Sequence, residues 1–457
     1  FDSTIGRSTV LMPFGGRTQR SETQVSVQKL PTDGYTDTAS IMAFGYNPRI
    51  ASWSPYHGAA YAVVEAAAKV VAAGARYDRM RYSYQEYFER MTHDPESWGK
   101  PLGALLGALK MQVELGLPSI GGKDSMSGTF QQINVPPMLM AFGITTVNAG
   151  KVVSTDLKGP GHRIYLVRHT PKENRMPDTE QLRRNFTFVG DQTEAGRILS
   201  AWAVGFGGVA EGLAKMAFGN GIGVETSMEE ARLYEYAYGS ILVECEGTLE
   251  YPFAEQVGVT VADEALTVGG VRMPLEELYR ANTERFATVY PDKGINSAEV
   301  MTAAPATGCV AYPGDAVEHP RVYIPVFPGT NCDYDTAKAF RTAGAEVCMS
   351  VLCNLGGDDI LRSIAGMKEH IRRAHIFVLS GGFSAGDEPD GSAKFIVNVL
   401  NNKDIREEIH ALLDRGGLIL GICNGFQALV KSGLLPYGRL GMVTRESPTL
   451  FRNDINR

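Results

Sequence analysis

The stretch Leu418-Ile419-Leu420-Gly421-Ile422-Cys423-Asn424-Gly425-Phe426-Gln427-Ala428-Leu429 decides the reading of the chain. Three aliphatic residues run into Gly-Ile-Cys-Asn-Gly and then into a helical pattern, which predicts strand, sharp turn, helix. A glycine two places either side of a small nucleophile is the nucleophile-elbow spacing, with Cys423 where hydrolases carry Ser. Such a turn holds the nucleophile in a strained conformation at the carboxyl end of a strand. Gly421 and Gly425 remove the Cβ atoms that would clash there. The following helix aims its N-terminus at the sulfur and favours a thiolate. An ordinary buried Cys beside a βα turn would give the same local pattern, so the neighbouring segments decide.

Upstream, Val322-Tyr323-Ile324-Pro325-Val326 reads as a buried strand, followed by the loop Phe327-Pro328-Gly329-Thr330-Asn331-Cys332. A helix over 335–343, strands over 345–351 and 375–379, and a helix over 405–415 precede the Cys423 strand. Strands alternating with helices predict a doubly wound, flavodoxin-like parallel sheet, whose sites lie at the carboxyl ends of the strands. Three loops converge there: 327–332, 380–387 and 421–425. Gly381, Gly382 and Phe383 would supply backbone N–H groups beside Cys423, and Asn424 another, which together make an oxyanion hole for acyl transfer.

The chain has 457 residues, enough for several domains. A net charge of −7 does not suggest nucleic acid or an anionic membrane as a partner. No apolar run approaches the ~18 residues of a membrane span. Six cysteines without C-x-x-C spacing indicate neither a disulfide framework nor a zinc site, which fits a reducing cytoplasm. The chain begins at Phe1, so a piece of something longer is expected.

From the start, residues 1–155 read as an α/β domain. It has a strand near Val25 and Val27, a turn at Asp33-Gly34, and a long Ala/Val helix from Ala59 to Ala73 behind Ser54-Pro55-Tyr56-His57-Gly58. On that helix Tyr61, Glu65 and Lys69 share a face at i, i+4 spacing. They form either a Glu–Lys surface pair or a carboxylate for a metal or phosphate. Residues 84–117 read as two helices separated by Pro95 and Gly99-Lys100-Pro101. Gly121-Gly122-Lys123-Asp124-Ser125-Met126-Ser127-Gly128 packs bare N–H groups and a cation as a phosphate cradle would, though without P-loop spacing; a charged hairpin loop is the alternative. A strand follows from Met138. Residues 156–290 read as an α+β domain, with strands over 163–167, 241–244 and 257–261 and helices over 178–200 and up to Phe218. Residues 291–320 read as a linker, and 321–457 as the Cys423 domain.

Val378 to Asp387 with Gly421 to Gly425 resembles a class-I glutamine amidotransferase. The opening Phe327 to Asp333 resembles the glutaminase domain of large-type phosphoribosylformylglycinamidine synthases. Gly121 to Ser127, the Tyr56 to Glu65 helix, and Gly207-Gly208 to Met216-Ala217-Phe218 resemble the second, aminoimidazole-ribonucleotide-synthetase-like half of that family. The resemblance implies a carbon–nitrogen ligase of purine biosynthesis. From glutamine, ATP and formylglycinamide ribonucleotide, such an enzyme makes formylglycinamidine ribonucleotide, glutamate, ADP and phosphate, with Mg²⁺. It implies Cys423 as glutaminase nucleophile and a glutamine site at Gly381, Gly382, Phe383, Asn424 and Gln427. It also implies partners in the same chain, an N-terminal region and a first synthetase half, and a cytoplasmic location.

The resemblance further implies an auxiliary ADP/Mg²⁺ site, with Asp33 and Glu65 as metal ligands and Lys69, Lys123, Asp124 and Ser125 toward the nucleotide. Lys69 stands where that family carries a ligand Asn, Ala203 where it carries a ligand Asp, and Phe206 replaces a usual Asp. An anionic ligand lost and a cation gained argue against metal there, so no Mg²⁺-dependent nucleotide is expected and a mainly structural role for this half is. The family's triad His and acid lie downstream of the nucleophile, whereas all eight His here precede Cys423, so a chain cut short at its C-terminus is expected. Two other readings stay open. One is a stand-alone cysteine hydrolase, which needs a His beside Cys423. The other is a non-catalytic scaffold half for the synthetase-like part.

Overall fold

The computed structural model describes residues 6, 8–32, 34–289, 316–384 and 393–450. It divides into two compact units, Phe1–Ser297 and Ala298–Arg457. Asp33, nearly all of the expected linker 291–320, and 385–387 of the second site loop lie outside the described residues.

In the first unit the chain forms β1 (Ser26–Lys29), β2 (Thr38–Gly45), α1 (Pro48–Trp53), α2 (Pro55–Ala72), β3 (Arg81–Tyr87), α3 (Pro95–Leu115), β4 (Ser119–Lys123) and β5 (Met138–Asn148). The sheet order is β1-β2-β5-β3-β4, antiparallel except for β3–β4. The central element is α2. Ser54 caps it, with Oγ accepting from the His57 N–H, and its small Ala and Val side chains let neighbours approach on all sides. A Cβ on Gly45 of β2 would sit 2.1 Å from the Ala62 carbonyl, and one on Gly107 of α3 2.0 Å from the Tyr56 carbonyl.

Two expectations are corrected here. Residues 81–87 are a strand, with Tyr82, Tyr84 and Glu86 turned inward; the inward Glu86 disguises the period-2 pattern. Residues 95–115 are a single helix that carries Pro101 within it. Pro95 starts that helix at its first turn, where its missing N–H costs nothing.

The second sheet follows: β6 (Arg163–Val167), α4 (Thr179–Glu194), β7 (Ser200–Ala203), α5 (Gly208–Phe218), β8 (Gly223–Thr226), β9 (Ile241–Cys245), β10 (Ala254–Val261), β11 (Ala265–Val268), β12 (Val271–Pro274) and α6 (Leu275–Glu284). Its order is β7-β9-β6-β10-β8-β11-β12. One face places Tyr165, Val167, Ala201 and Val243 in the core shared with α2. The other places Ile164, Leu166, Trp202 and Leu242 against residues of α5 and α6. The helix expected over 178–200 stops at Glu194, because Gly196 takes a left-handed turn (φ 70°) and Ser200 opens β7.

The second unit holds β13 (Arg321–Val326), α7 (Asp333–Thr342), β14 (Glu346–Val351), α8 (Gly357–Arg373), β15 (Ile376–Leu379), α9 (Lys394–Leu400), α10 (Lys403–Asp414), β16 (Leu418–Gly421) and α11 (Asn424–Ser432). All strands are parallel, in the order β14-β13-β15-β16. Val322, Ile324 and Val378 pack on one face with Ala337 of α7. Tyr323, Phe377 and Leu379 pack on the other with residues of α8, α9, α10 and α11. Helices on both faces make the sheet doubly wound, as expected, and the order reverses between β13 and β15, where such folds carry their sites. Among the described residues no helix is long and apolar enough to cross a membrane.

Candidate active site

Parallel pairing of Leu379 with Gly421 brings the ends of β15 and β16 side by side, and the Ile422 N–H continues the ladder to the Leu379 carbonyl at 2.9 Å. The chain then reverses at Cys423, which has φ 50° and ψ −106° and caps α11. That is a conformation L-residues rarely adopt and that costs roughly 1–3 kcal/mol. Both glycines of the elbow are required by contact. A Cβ on Gly425 would lie 2.1 Å from the Leu379 carbonyl oxygen, and one on Gly421 2.6 Å from Leu429 Cδ1. With those atoms absent, α11 seats its first turn directly on the strand ends, and Cys423 stays exposed above them.

The other two loops close around this turn. Asn331 donates to the Gly381 carbonyl and Phe383 to the Gly329 carbonyl, each at 2.9 Å. Gly382 (φ 130°) crosses so tightly that a Cβ there would meet Asn331 N at 2.5 Å. A methyl placed on Gly381 would lie 3.4 Å from Cys423 Cβ and 3.9 Å from Cys332 Sγ. Gly381 thus keeps open the space beside the nucleophile. Cys332, also exposed and in a left-handed conformation at the start of α7, flanks that space; its loop was legible in the sequence, its nearness to Cys423 was not.

Asn424 is buried, with its side-chain oxygen accepting from Ser384 N (3.3 Å) and its amide nitrogen donating to Gln427 Oε1 (3.1 Å). It ties the second loop to α11, and Gln427 serves that tie. The Phe383 N–H, expected as an oxyanion donor, is engaged by Gly329, and its ring is exposed. The arrangement suits attack by Cys423 sulfur on a carbonyl carbon approached from the Gly381 side. Of the histidines in this unit, His375 opens β15 at the opposite end of the sheet, a four-residue strand or ~13 Å away, and accepts from Arg321 N. His410 accepts from Leu440 N, and His370 lies on Cys348. None of these can serve Cys423 as a base.

In the first unit Glu65 and Lys69 form a pair at 2.8 Å, both largely buried. Glu65 also accepts from Tyr46 N at 3.0 Å. Lys69 donates to the Phe44 carbonyl at 2.9 Å and lies 4.6 Å over the Phe44 ring. Burial raises the Glu65 carboxyl above its ordinary range, opposed by the Lys69 charge. Ala203 offers only backbone, exchanged with the Gln24 amide. Lys123 and Asp124 are exposed. Ser125 is pinned to β3 by its backbone bonds with Glu86 and Phe88, and its hydroxyl bonds Ser127. Among the described residues no group of three or more His, Cys, Asp or Glu could hold a metal ion. Mg²⁺ wants near-octahedral oxygen ligands. Both Glu65 oxygens are engaged and an ammonium is salt-bridged to one of them, so these residues do not fit the metal of the expected auxiliary site.

Residues 319–457 match the family of CobB/CobQ-like glutamine amidotransferase domains. The resemblance to a glutamine amidotransferase holds over this second unit. The chain is also similar to phosphoribosylformylglycinamidine synthase subunit PurQ of Dehalococcoides mccartyi, at 40% identity over 109 residues, covering 24% of this chain and 38% of the relative. It is 36% identical over 113 residues to the same subunit of Pyrococcus furiosus, covering 25% and 42%. The chain therefore spans about two fifths of the length of these relatives. The solved structure of PurLQS from Thermotoga maritima overlaps 69% of this chain and 52% of that one, at 16% identity and a TM-score of 0.47.

Proposed function

We propose that the chain is a portion of an ATP-dependent glutamine amidotransferase of purine biosynthesis, a carbon–nitrogen ligase acting in the cytoplasm. Its second unit is the glutaminase, and residues 1–155 and 156–290 form its second synthetase-like half. The whole enzyme converts formylglycinamide ribonucleotide, glutamine and ATP to formylglycinamidine ribonucleotide, glutamate, ADP and phosphate. The match of residues 319–457 to glutamine amidotransferase domains and the similarity of the chain to synthase subunits support this reading. One observation carries it: Cys423, held at φ 50° on the first turn of α11 with Gly381 bare beside it.

In this reading Cys423 sulfur attacks the side-chain amide carbon of glutamine. A thioester forms, the C–N bond breaks, and ammonia leaves with a proton supplied by a group beyond the described residues. Asn424 N–H, at the start of α11 and next to Cys423, stabilises the developing oxyanion. Asn424 and Gln427 side chains hold the loop rather than the substrate. Ammonia is then consumed at the synthetase site, where ATP activates the substrate amide oxygen. Lys69 replaces the auxiliary metal, which gives that half a mainly structural role. A glutamine analogue with an electrophilic γ-carbon tests the assignment in the full-length enzyme. It should alkylate Cys423 alone, competitively with glutamine; labelling that glutamine does not slow would refute it.

A further inference from the structure

A cavity of about 340 Å³ in the first unit uses none of the residues assigned above. Arg49 and Trp53 of α1, Tyr61 of α2, Arg175, Tyr236 and Tyr238 line it. Its size falls at the small end of small-molecule pockets. Trp53, Tyr236 and the adjoining Phe206 are each about half exposed, an unusual grouping of large aromatic surface in water.

Two cations sit on these rings. The Arg175 guanidinium lies 5.6 Å from the centre of the Trp53 ring, and the Arg49 guanidinium 5.0 Å from that of Phe206; Phe206 itself stacks on Tyr236. Among the described residues no carboxylate pairs with either arginine. The nearest acid in sequence to Tyr236, Glu235, is already paired with Arg168 at 2.9 Å. Stacking fixes a guanidinium plane while leaving its N–H fork free for an anion.

The presentation of Arg175 is built and strained. Its φ is 62°, a left-handed conformation that costs a non-glycine residue roughly 1–2 kcal/mol. Three contacts hold it there. The buried Tyr61 hydroxyl donates to the Arg175 carbonyl at 2.7 Å, Arg175 N donates to the Lys172 carbonyl at 2.8 Å, and His57 Nε2 lies 3.1 Å from the Asn174 carbonyl. The opposite wall is fixed as well, since Asn47 caps α1 and donates to the Tyr238 hydroxyl at 2.7 Å.

We propose that this pocket binds a nucleoside monophosphate. Its base stacks among Trp53 and Tyr236, and its phosphate takes the Arg49 and Arg175 forks. Both halves of the ligand answer a feature of the site: planar π surface for the exposed rings, and a dianion for two unneutralised guanidinium groups. Neither Glu65 nor Lys69 lines the pocket, although the Glu65 charge acts on Tyr238 in its wall.

The test titrates AMP, GMP and UMP into the full-length protein and follows quenching of Trp53 emission, assigned by its loss in Trp53→Phe. At least one nucleotide should bind saturably. Arg49→Ala and Arg175→Ala should each weaken it about tenfold or more, as loss of a charge-assisted hydrogen bond does. The matching nucleoside and inorganic phosphate alone should each bind at least tenfold more weakly. The proposal is overturned by absence of saturable quenching with all three nucleotides at 5 mM. It is equally overturned by binding that survives the double arginine variant, or by Trp53 emission that acrylamide cannot quench, which would mean another protein surface covers the pocket.

Discussion

Cys423 combines a demand for exposure with a demand for strain, and the two can be separated. Cys423→Gly keeps the turn and relieves the positive φ, so the second unit should gain about 1 kcal/mol in denaturant unfolding while losing all glutamine-dependent turnover. Gly425→Ala should do the reverse. A methyl 2.1 Å from the Leu379 carbonyl forces α11 off the sheet, and the loss should be about 2 kcal/mol or more. Equal, near-zero shifts in both variants would contradict the geometry. At Lys69 the pairing is the issue. Removing one partner of a buried ion pair costs about 3–5 kcal/mol, so Lys69→Met should be destabilised by that order at pH 8. Burial already raises the Glu65 carboxyl. Without Lys69 it rises further, so stability should recover as pH falls and Glu65 takes a proton. A Lys69→Met deficit that stays constant from pH 8 to pH 5 would show that Glu65 never carries the uncompensated charge. Much at this scale was legible. Gly-x-Cys-x-Gly states its own reason, and i, i+4 spacing announced Glu65–Lys69. The engagement of Phe383 N–H by Gly329 was not, because it depends on where a distant loop crosses.

Among the elements, β3 shows why sequence patterns mislead. Tyr82 and Tyr84 alternate inward as a strand requires, but Glu86 takes the third inward position, and its buried Oε1 has no hydrogen-bond partner among the described residues. Burial, with the Asp124 charge adding, lifts its carboxyl from 4.5 to about 7. Between those values the folded chain keeps a proton that the unfolded chain has released, so stability falls as pH rises through that window. Glu86→Gln should flatten that part of the Tm–pH curve and raise Tm at pH 8. Parallel curves for parent and variant would contradict the assignment. By contrast, the four parallel strands over 321–421 were read correctly from uninterrupted apolar runs such as Val322 to Val326, since parallel strands buried on both faces leave no competing period, whereas α8 and α9 between them were not read. Helix α3 was divided wrongly at Pro101, which the helix accommodates.

At the scale of the whole molecule, the second unit presents a nucleophile with no histidine base beside it among the described residues. His375 sits at the far end of the sheet, and thioester chemistry needs a proton for departing ammonia. The 457-residue chain by itself should therefore hydrolyse glutamine at background rate; activity that Cys423→Ala abolishes would refute this. The first unit, with Lys69 salt-bridged to Glu65, should hold no nucleotide that chelation releases. Native mass spectrometry of the full-length protein should find no stoichiometric ADP lost on adding EDTA. The central claim is that Cys423 supplies nitrogen to a synthetase elsewhere in the same enzyme, and turnover of full-length Cys423→Ala with two nitrogen sources tests it most directly. Synthesis from glutamine should fall to background while synthesis from added ammonia stays within about twofold of the parent; equal loss with both sources would contradict the account.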